Sequence, residues 1–202
     1  MENPPDYPYP VDSNDHCESP IEAYNDISAI LERFASEAYK TKESLRIYDP
    51  YFCEGSVIER LNNLGFMTVY NVKEDFYEKI STNTIPEYDV LVTNPPYSED
   101  HMEKLINFCF QSNKPWFLLL PNYVYTKIYF SAALGNGSYL ASQVFYVTPL
   151  SRYLYSTPKV SQYCILKSLY LIDCWYCIYR DVAKLKAASL HPHFLHFGTA
   201  IS

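Results

Sequence analysis

The stretch "YDVLVTNPPYSED", Tyr88 to Asp100, decides how the whole chain is read. A short apolar run, "DVLV", stops abruptly at Asn94-Pro95-Pro96-Tyr97. A nearly continuous apolar strand fits a sheet covered on both faces, not one with a wet side. Two prolines then fix φ and remove two N–H donors, so no regular element continues. The strand end carries an amide with an acceptor and two donors. It also carries two carbonyls on a rigid turn, and a flat ring. A group held there needs donors for the acceptors and a face for the ring. A planar amine meets both needs.

On either side of this motif the chain alternates between two periodicities. Ile21, Tyr24, Ile27, Ile30, Leu31 and Phe34 recur at helical spacing after Ser19-Pro20. Ser19 can cap that helix, with Glu22 three residues on as in a capping box. "LRIYDP" is a short strand ending on Asp49-Pro50, "SVIERLNNLGF" a helix closed near Gly65, and "MTVYN" a second strand. "EDFYEKI" is a helical turn and "TNTIPEY" a loop. After the motif come a helix in "SEDHMEKLINFCFQ", with Ser98 as its cap, and a strand in "PWFLLLP". This order predicts an α/β fold. The expectation is a Rossmann-like, mostly parallel sheet with helices on both faces, abridged, in a single domain.

From Gly135 the alternation fades. "QVFYVTPLSRYLYSTP" reads as two strands about a turn at Thr148-Pro149. "YCILKSLYLIDCWYCIYR" fits strand or helix, with a last strand near 172–179, and the final residues show no period. The predicted organisation is an acidic, proline-rich disordered tail over 1–18, a domain over 19–159 and an atypical C-terminal segment over 160–202. There is no internal repeat.

The 202 residues suffice for one full core, with 48% apolar and 19% charged residues. A net charge of −7 argues against a broad basic surface gripping duplex phosphate, though not against a local basic groove. The N-terminal residues are not an apolar signal sequence, and no apolar run reaches the length of a membrane span. The six cysteines are scattered, so the expectation is a reduced intracellular protein, cytoplasmic or nuclear, without a membrane partner.

In an open parallel sheet, ligands sit at the carboxyl ends of the strands. Asp49 and Asn94 end two of the predicted strands, and their spacing lets both line one rim. "DVLVTNPPY" resembles the catalytic motif of class I S-adenosylmethionine-dependent methyltransferases, in the branch that methylates planar amino groups. "ESPIEAYNDI", "IYDPYFCEG" and "EDFYE" resemble, in order, that branch's Ser/Thr-Pro helix start, first cofactor loop and Asp-Phe element. The similarity covers roughly residues 19 to 155.

That resemblance implies roles. Asn94 and the Pro95 carbonyl would accept hydrogen bonds from the target amine, with Pro96 stiffening the turn and Tyr97 stacking on the target. Asp49, Pro50 and the Gly55 backbone would meet the amino-acid end of S-adenosyl-L-methionine. Ser19 would reach the same carboxylate. Asn71 stands where an acidic ribose ligand is expected, with Glu74 or Asp75 as the substitutes, and Asp75 with Phe76 would flank the adenine. The implied acceptor is adenine in nucleic acid, RNA or DNA; a protein amide or amine is the alternative. The loop holds one glycine, Gly55, where many relatives have two or three. That thinness motivates a third reading, a catalytically silent subunit that binds a protein partner.

Plainer readings stand beside these. Asp49-Pro50 is also a strand-ending turn, Ser19 a simple helix cap, Asp75 a solvated helix-start carboxylate, and Tyr153 and Tyr155 sheet packing. Cys174-x2-Cys177 with His191 and His196 has zinc-finger spacing. Asp181 and Ala187 lie where a finger's core Phe and Leu belong, and Pro192 breaks the histidine segment. "DCWYCIYR" reads more simply as a buried strand with Cys as a small apolar residue. No metal is expected.

Overall fold

A computed structural model describes residues 17–135, 143–155 and 173–178, and the backbone of 195–197. In chain order the helices are α1 (Ile21–Glu37), α2 (Ser56–Asn63), α3 (Phe76–Ser81), α4 (His101–Gln111) and α5 (Ile128–Leu134). The strands are β1 (Arg46–Tyr48), β2 (Thr68–Tyr70), β3 (Val90–Thr93), β4 (Trp116–Pro121), β5 (Val144–Val147), β6 (Asp173–Ile178) and β7 (Leu195–Phe197). A 3-10 turn, Asn122–Thr126, follows β4.

All seven strands join one sheet, ordered β2-β1-β3-β4-β6-β5-β7. The β1–β2, β1–β3 and β3–β4 pairings are parallel; β4–β6, β5–β6 and β5–β7 are antiparallel. The mostly parallel sheet expected from the sequence is therefore corrected to a mixed one. The parallel part is the helix-alternating part. β6 enters between β4 and β5 against their direction, and no helical period announces it.

Period-two alternation splits the strands between two cores. Ile47, Val90, Val92, Phe117, Leu119, Phe145, Trp175 and Cys177 face α1 and α2. Tyr48, Leu91, Trp116, Leu118, Val144, Cys174 and Tyr176 face α3, α4 and α5. Helices thus cover both faces, and every residue of β3, β4 and β6 is buried. That double cover makes "DVLV" and "WFLLL" continuously apolar.

Several local expectations change. α1 begins after Pro20, with no side-chain cap bond, so Ser19 does not build a capping box. Its hydroxyl goes elsewhere, as shown below. α4 begins at His101 with Asp100 before it, in place of Ser98 as cap. Residues 151–155 form no second strand after Thr148-Pro149. Of the tail expected over 1–18, residues 1–16 lie outside the described residues, but Cys17 is 6% exposed and Glu18 is bonded to the fold. Cys17 is also disulfide-bonded, against the expectation of reduced thiols, whereas Cys53, Cys109, Cys174 and Cys177 are in no disulfide.

The amino edge of the sheet is pinned by Asp89. Its carboxylate accepts from the Arg46 backbone N–H at 2.8 Å, Arg46 Nη2 at 2.8 Å and Lys40 Nζ at 2.6 Å. Burial alone would raise its pKa, but these donors hold it well below the usual carboxylate range. Among the described residues, no helix is long and apolar enough to cross a membrane.

Candidate active site

β1 lies between β2 and β3, so the chain leaves β1 first to one side and then to the other. At such a reversal the loops beyond the two strand ends diverge and leave a crevice. Asp49 follows β1 and Asn94 follows β3, so the two residues singled out from the sequence stand on either side of it.

Asp49 is 5% exposed. Its Oδ1 accepts from Thr93 Oγ1 at 2.5 Å and from the Tyr51 N–H at 3.1 Å. Burial pushes its pKa up to about 7; the Thr93 and Tyr51 bonds oppose that rise and the charge of Glu18 adds to it. The Thr93 bond spans β1 and β3, and locks the residue before Asn94 to the acid. Neighbouring Pro50 is buried.

Asn94 Nδ2 donates to Ser19 Oγ at 2.9 Å. Its Oδ1 is buried without a hydrogen-bond partner among the described residues. An acceptor buried and unpaired costs about 1–3 kcal/mol, so it is a feature that function can repay. Pro95 is buried and Pro96 half-buried. Tyr97 is only 7% exposed, within the core facing α4, and its hydroxyl donates to the Leu119 carbonyl at 3.0 Å. The ring expected as a stacking face is thus also the anchor that ties this loop to β4.

The loop from Tyr51 to Gly55 carries the other expected contacts. Gly55 precedes α2 in the left-handed region at φ 79°, where a Cβ would meet the Phe52 ring at 3.0 Å. This is the position where glycine is required. Glu18 fastens the loop: Oε1 accepts from the Glu54 N–H at 2.8 Å, and Oε2 accepts from Arg60 at 3.0 Å and from the Ser56 hydroxyl. Sequence reasoning placed Glu18 in the tail. The one available hint was its place beside Ser19.

The remaining candidates are more structural than ligand-facing. Asn71 Nδ2 donates to the Asp49 and Tyr51 carbonyls at 3.1 and 3.2 Å, bracing the loop, while its Oδ1 is buried without a partner among the described residues. Asp75 caps α3 through the Tyr77 and Glu78 N–H groups, at 2.8 and 3.2 Å. Phe76 is 3% exposed and packs edge-on against Tyr48, Tyr51 and Phe108. An unanticipated polar chain runs beside them. Tyr51 Oη meets Tyr77 Oη at 3.1 Å, and Tyr77 Oη meets His101 Nδ1 at 2.6 Å. It joins the loop after β1 to the starts of α3 and α4. No single motif holds all three residues, so spacing alone could not reveal it.

Ser19, Asp49, Gly55, Asn71 and Asn94 therefore meet at one rim; Asp75 and Phe76 flank it through Tyr51. Tyr153 is tied to α1 by a 2.5 Å bond to Asp26, whereas the Tyr155 hydroxyl bonds Asp173. On β6, Cys174 and Cys177 point into opposite cores, so a single ion cannot hold both. His191 lies outside the described residues, and only the backbone of His196 is described. No metal-binding group of three or more His, Cys, Asp or Glu exists among the described residues. Compared with known proteins, the chain matches no family model and no curated sequence.

Proposed function

We propose that the protein is an S-adenosyl-L-methionine-dependent N-methyltransferase acting on a planar amino group, with adenine in nucleic acid as the leading acceptor. The observation that carries this reading is the unpaired, buried Oδ1 of Asn94, at a strand's carboxyl end, beside Asp49. A Rossmann-like reading of the parallel half of the sheet belongs to the same proposal.

The residues fit the cofactor by their chemistry. Asp49 Oδ2 accepts no hydrogen bond among the described residues, and suits an ammonium group. Gly55 keeps the loop's backbone open to close approach. When bound, the cofactor supplies a methyl group on a sulfonium, whose sulfur departs as a neutral thioether. Everything else falls to the chain. Asn94 Oδ1 and the Pro95 carbonyl accept the acceptor's N–H groups, favour a pyramidal nitrogen, and aim its lone pair. Ser19 keeps Nδ2 turned away, so the acceptor atom faces the amine. The nitrogen gains one carbon bond and releases a proton to water. Positioning and electrostatics do the work, with no carboxylate base required.

Calorimetric titration with the cofactor, then labelled-methyl transfer to RNA, DNA and protein fractions, tests the reading. Binding in both wild type and Asn94→Ala, with transfer only in wild type, is expected. No binding at high protein concentration would sink it and favour a silent binding subunit.

A further inference from the structure

The charge of this chain is sharply divided. Residues 1–103 carry 21 Asp and Glu against 7 Lys and Arg, a balance of −14. Residues 104–202 carry 2 against 9, a balance of +7. Between Glu103 and Asp173 there is no acidic residue at all, whereas Lys104, Lys114, Lys127, Arg152, Lys159 and Lys167 fall there. The overall −7 therefore conceals a basic half, and an asymmetry of this kind points to nucleic acid.

The fold brings part of that half to the rim of the candidate site. β4 runs parallel to β3, so the turn after β4 leaves the sheet at the same edge as Asn94. β5 opposes β6, which opposes β4, so residues after β5 emerge at that edge too. Tyr97 is anchored to Leu119, near the end of β4. Just beyond, Tyr123 and Tyr125 are 37% and 48% exposed. Their hydroxyls meet no partner among the described residues. Lys127 is exposed, with Nζ 5.2 Å from the Tyr123 ring centre. Arg152 is exposed beyond β5.

We infer that this rim is a docking surface for single-stranded RNA, with bases stacking on Tyr123 and Tyr125 and phosphates meeting Lys127 and Arg152. Exposed rings beside cations are what single strands need, because every base has a face and every linkage a charge. A base already unpaired needs no flipping from a duplex. The two exposed phenol hydroxyls suit the ribose 2′-hydroxyl, which favours RNA over DNA. That the bound strand is the methyl acceptor rests on the reading of Asn94 above; the surface itself does not.

The test is fluorescence anisotropy of a labelled single-stranded RNA of about 12 nucleotides, titrated with the full chain without cofactor. Binding is expected to weaken steeply between about 50 and 200 mM salt. The double variant Tyr123→Ala/Tyr125→Ala is expected to lose about 10-fold or more, and the corresponding Phe variants to keep most base stacking. Lys127→Ala and Arg152→Ala should each lower the salt slope by about 1. The assay contains no cofactor and reads no transfer, so failure of the surface is seen apart from failure of the chemistry. Absent binding, equal binding of DNA or duplex, or indifference to the Tyr123→Ala/Tyr125→Ala change in a variant with wild-type circular dichroism would overturn the inference. So would tighter capture of an unrelated acidic peptide.

Discussion

Asn94 and Ser19 lie 75 positions apart in sequence and 2.9 Å apart in space, Nδ2 to Oγ. An amide can turn either end toward a ligand, and its orientation is set by hydrogen bonds. Ser19 takes the donor end and leaves the acceptor end unpaired. Ser19→Ala should therefore lower the rate of methyl transfer by about 10-fold, more than it weakens cofactor binding by calorimetry, whereas Asn94→Ala should cost about 100- to 1,000-fold. An unchanged rate in Ser19→Ala would remove Ser19 from the positioning role.

Asp49 ties stability to pH. Its folded pKa is raised by burial to about 7, above its ordinary value, so the protonated form favours folding. That contribution is complete below about pH 4 and is lost as pH rises through about 7, on the order of 4 kcal/mol across the window. Asp49→Asn should flatten this part of the stability curve in urea titrations. Cofactor binding should show the opposite trend, strengthening toward pH 8 as the carboxylate ionises. A wild-type slope retained in Asp49→Asn would assign the effect to another group.

Asp89 should act with the other sign. Its folded pKa is depressed, after burial is outweighed by Arg46 and Lys40. Its contribution is present above the ordinary carboxylate value near 4 and disappears as pH falls through the folded value. Asp89→Asn should cost about 1–3 kcal/mol at pH 7, because two cations lose their counter-charge and one acceptor oxygen becomes an N–H donor facing donors. Chemical denaturation at pH 7 and pH 3 measures it; an equal deficit at both would argue against the ion pairs as the cause.

Gly55→Ala should reduce stability by about 1–2 kcal/mol and weaken cofactor binding, since the new Cβ would meet the Phe52 ring and the residue would keep a positive φ. Gly65→Ala is its comparison: φ is also positive, at 92°, but the nearest atom is the flexible Lys42 Cδ at 3.4 Å, and the site is remote. Loss of cofactor affinity in the Gly65 variant would mean that global stability controls both.

The parallel half of the fold was legible because each element there satisfies its own local rule. Val90 to Val92 needed only apolar continuity, and α1 only its helical spacing. Asp49 and Asn94 were legible because strand ends are marked by proline. What stayed hidden depends on partners distant in sequence. Nothing local tells Ser19 that its hydroxyl belongs to Asn94 rather than to the helix it precedes. Glu18 looked like part of a tail because its partners, Glu54, Ser56 and Arg60, lie beyond α1 and β1. The direction of β6 was unreadable for the same reason. Residues Cys174 to Ile178 alternate between two cores that are both apolar, so polarity leaves no trace of either face.

The placement of β6 governs the order in which the protein can be made. β4 holds its six partners on β6 from Trp116↔Ile178 to Pro121↔Asp173. During synthesis, β4 emerges more than fifty residues before the strand that covers its open edge. Until Asp173 to Ile178 are made, that edge of β4 has no strand to pair with, and an unpaired strand edge is the kind that seeks other chains. Assembly is finished by the last strands rather than the first, and a premature stop before Asp173 would leave a molecule that retains Ser19, Asp49 and Asn94 yet cannot close its own sheet.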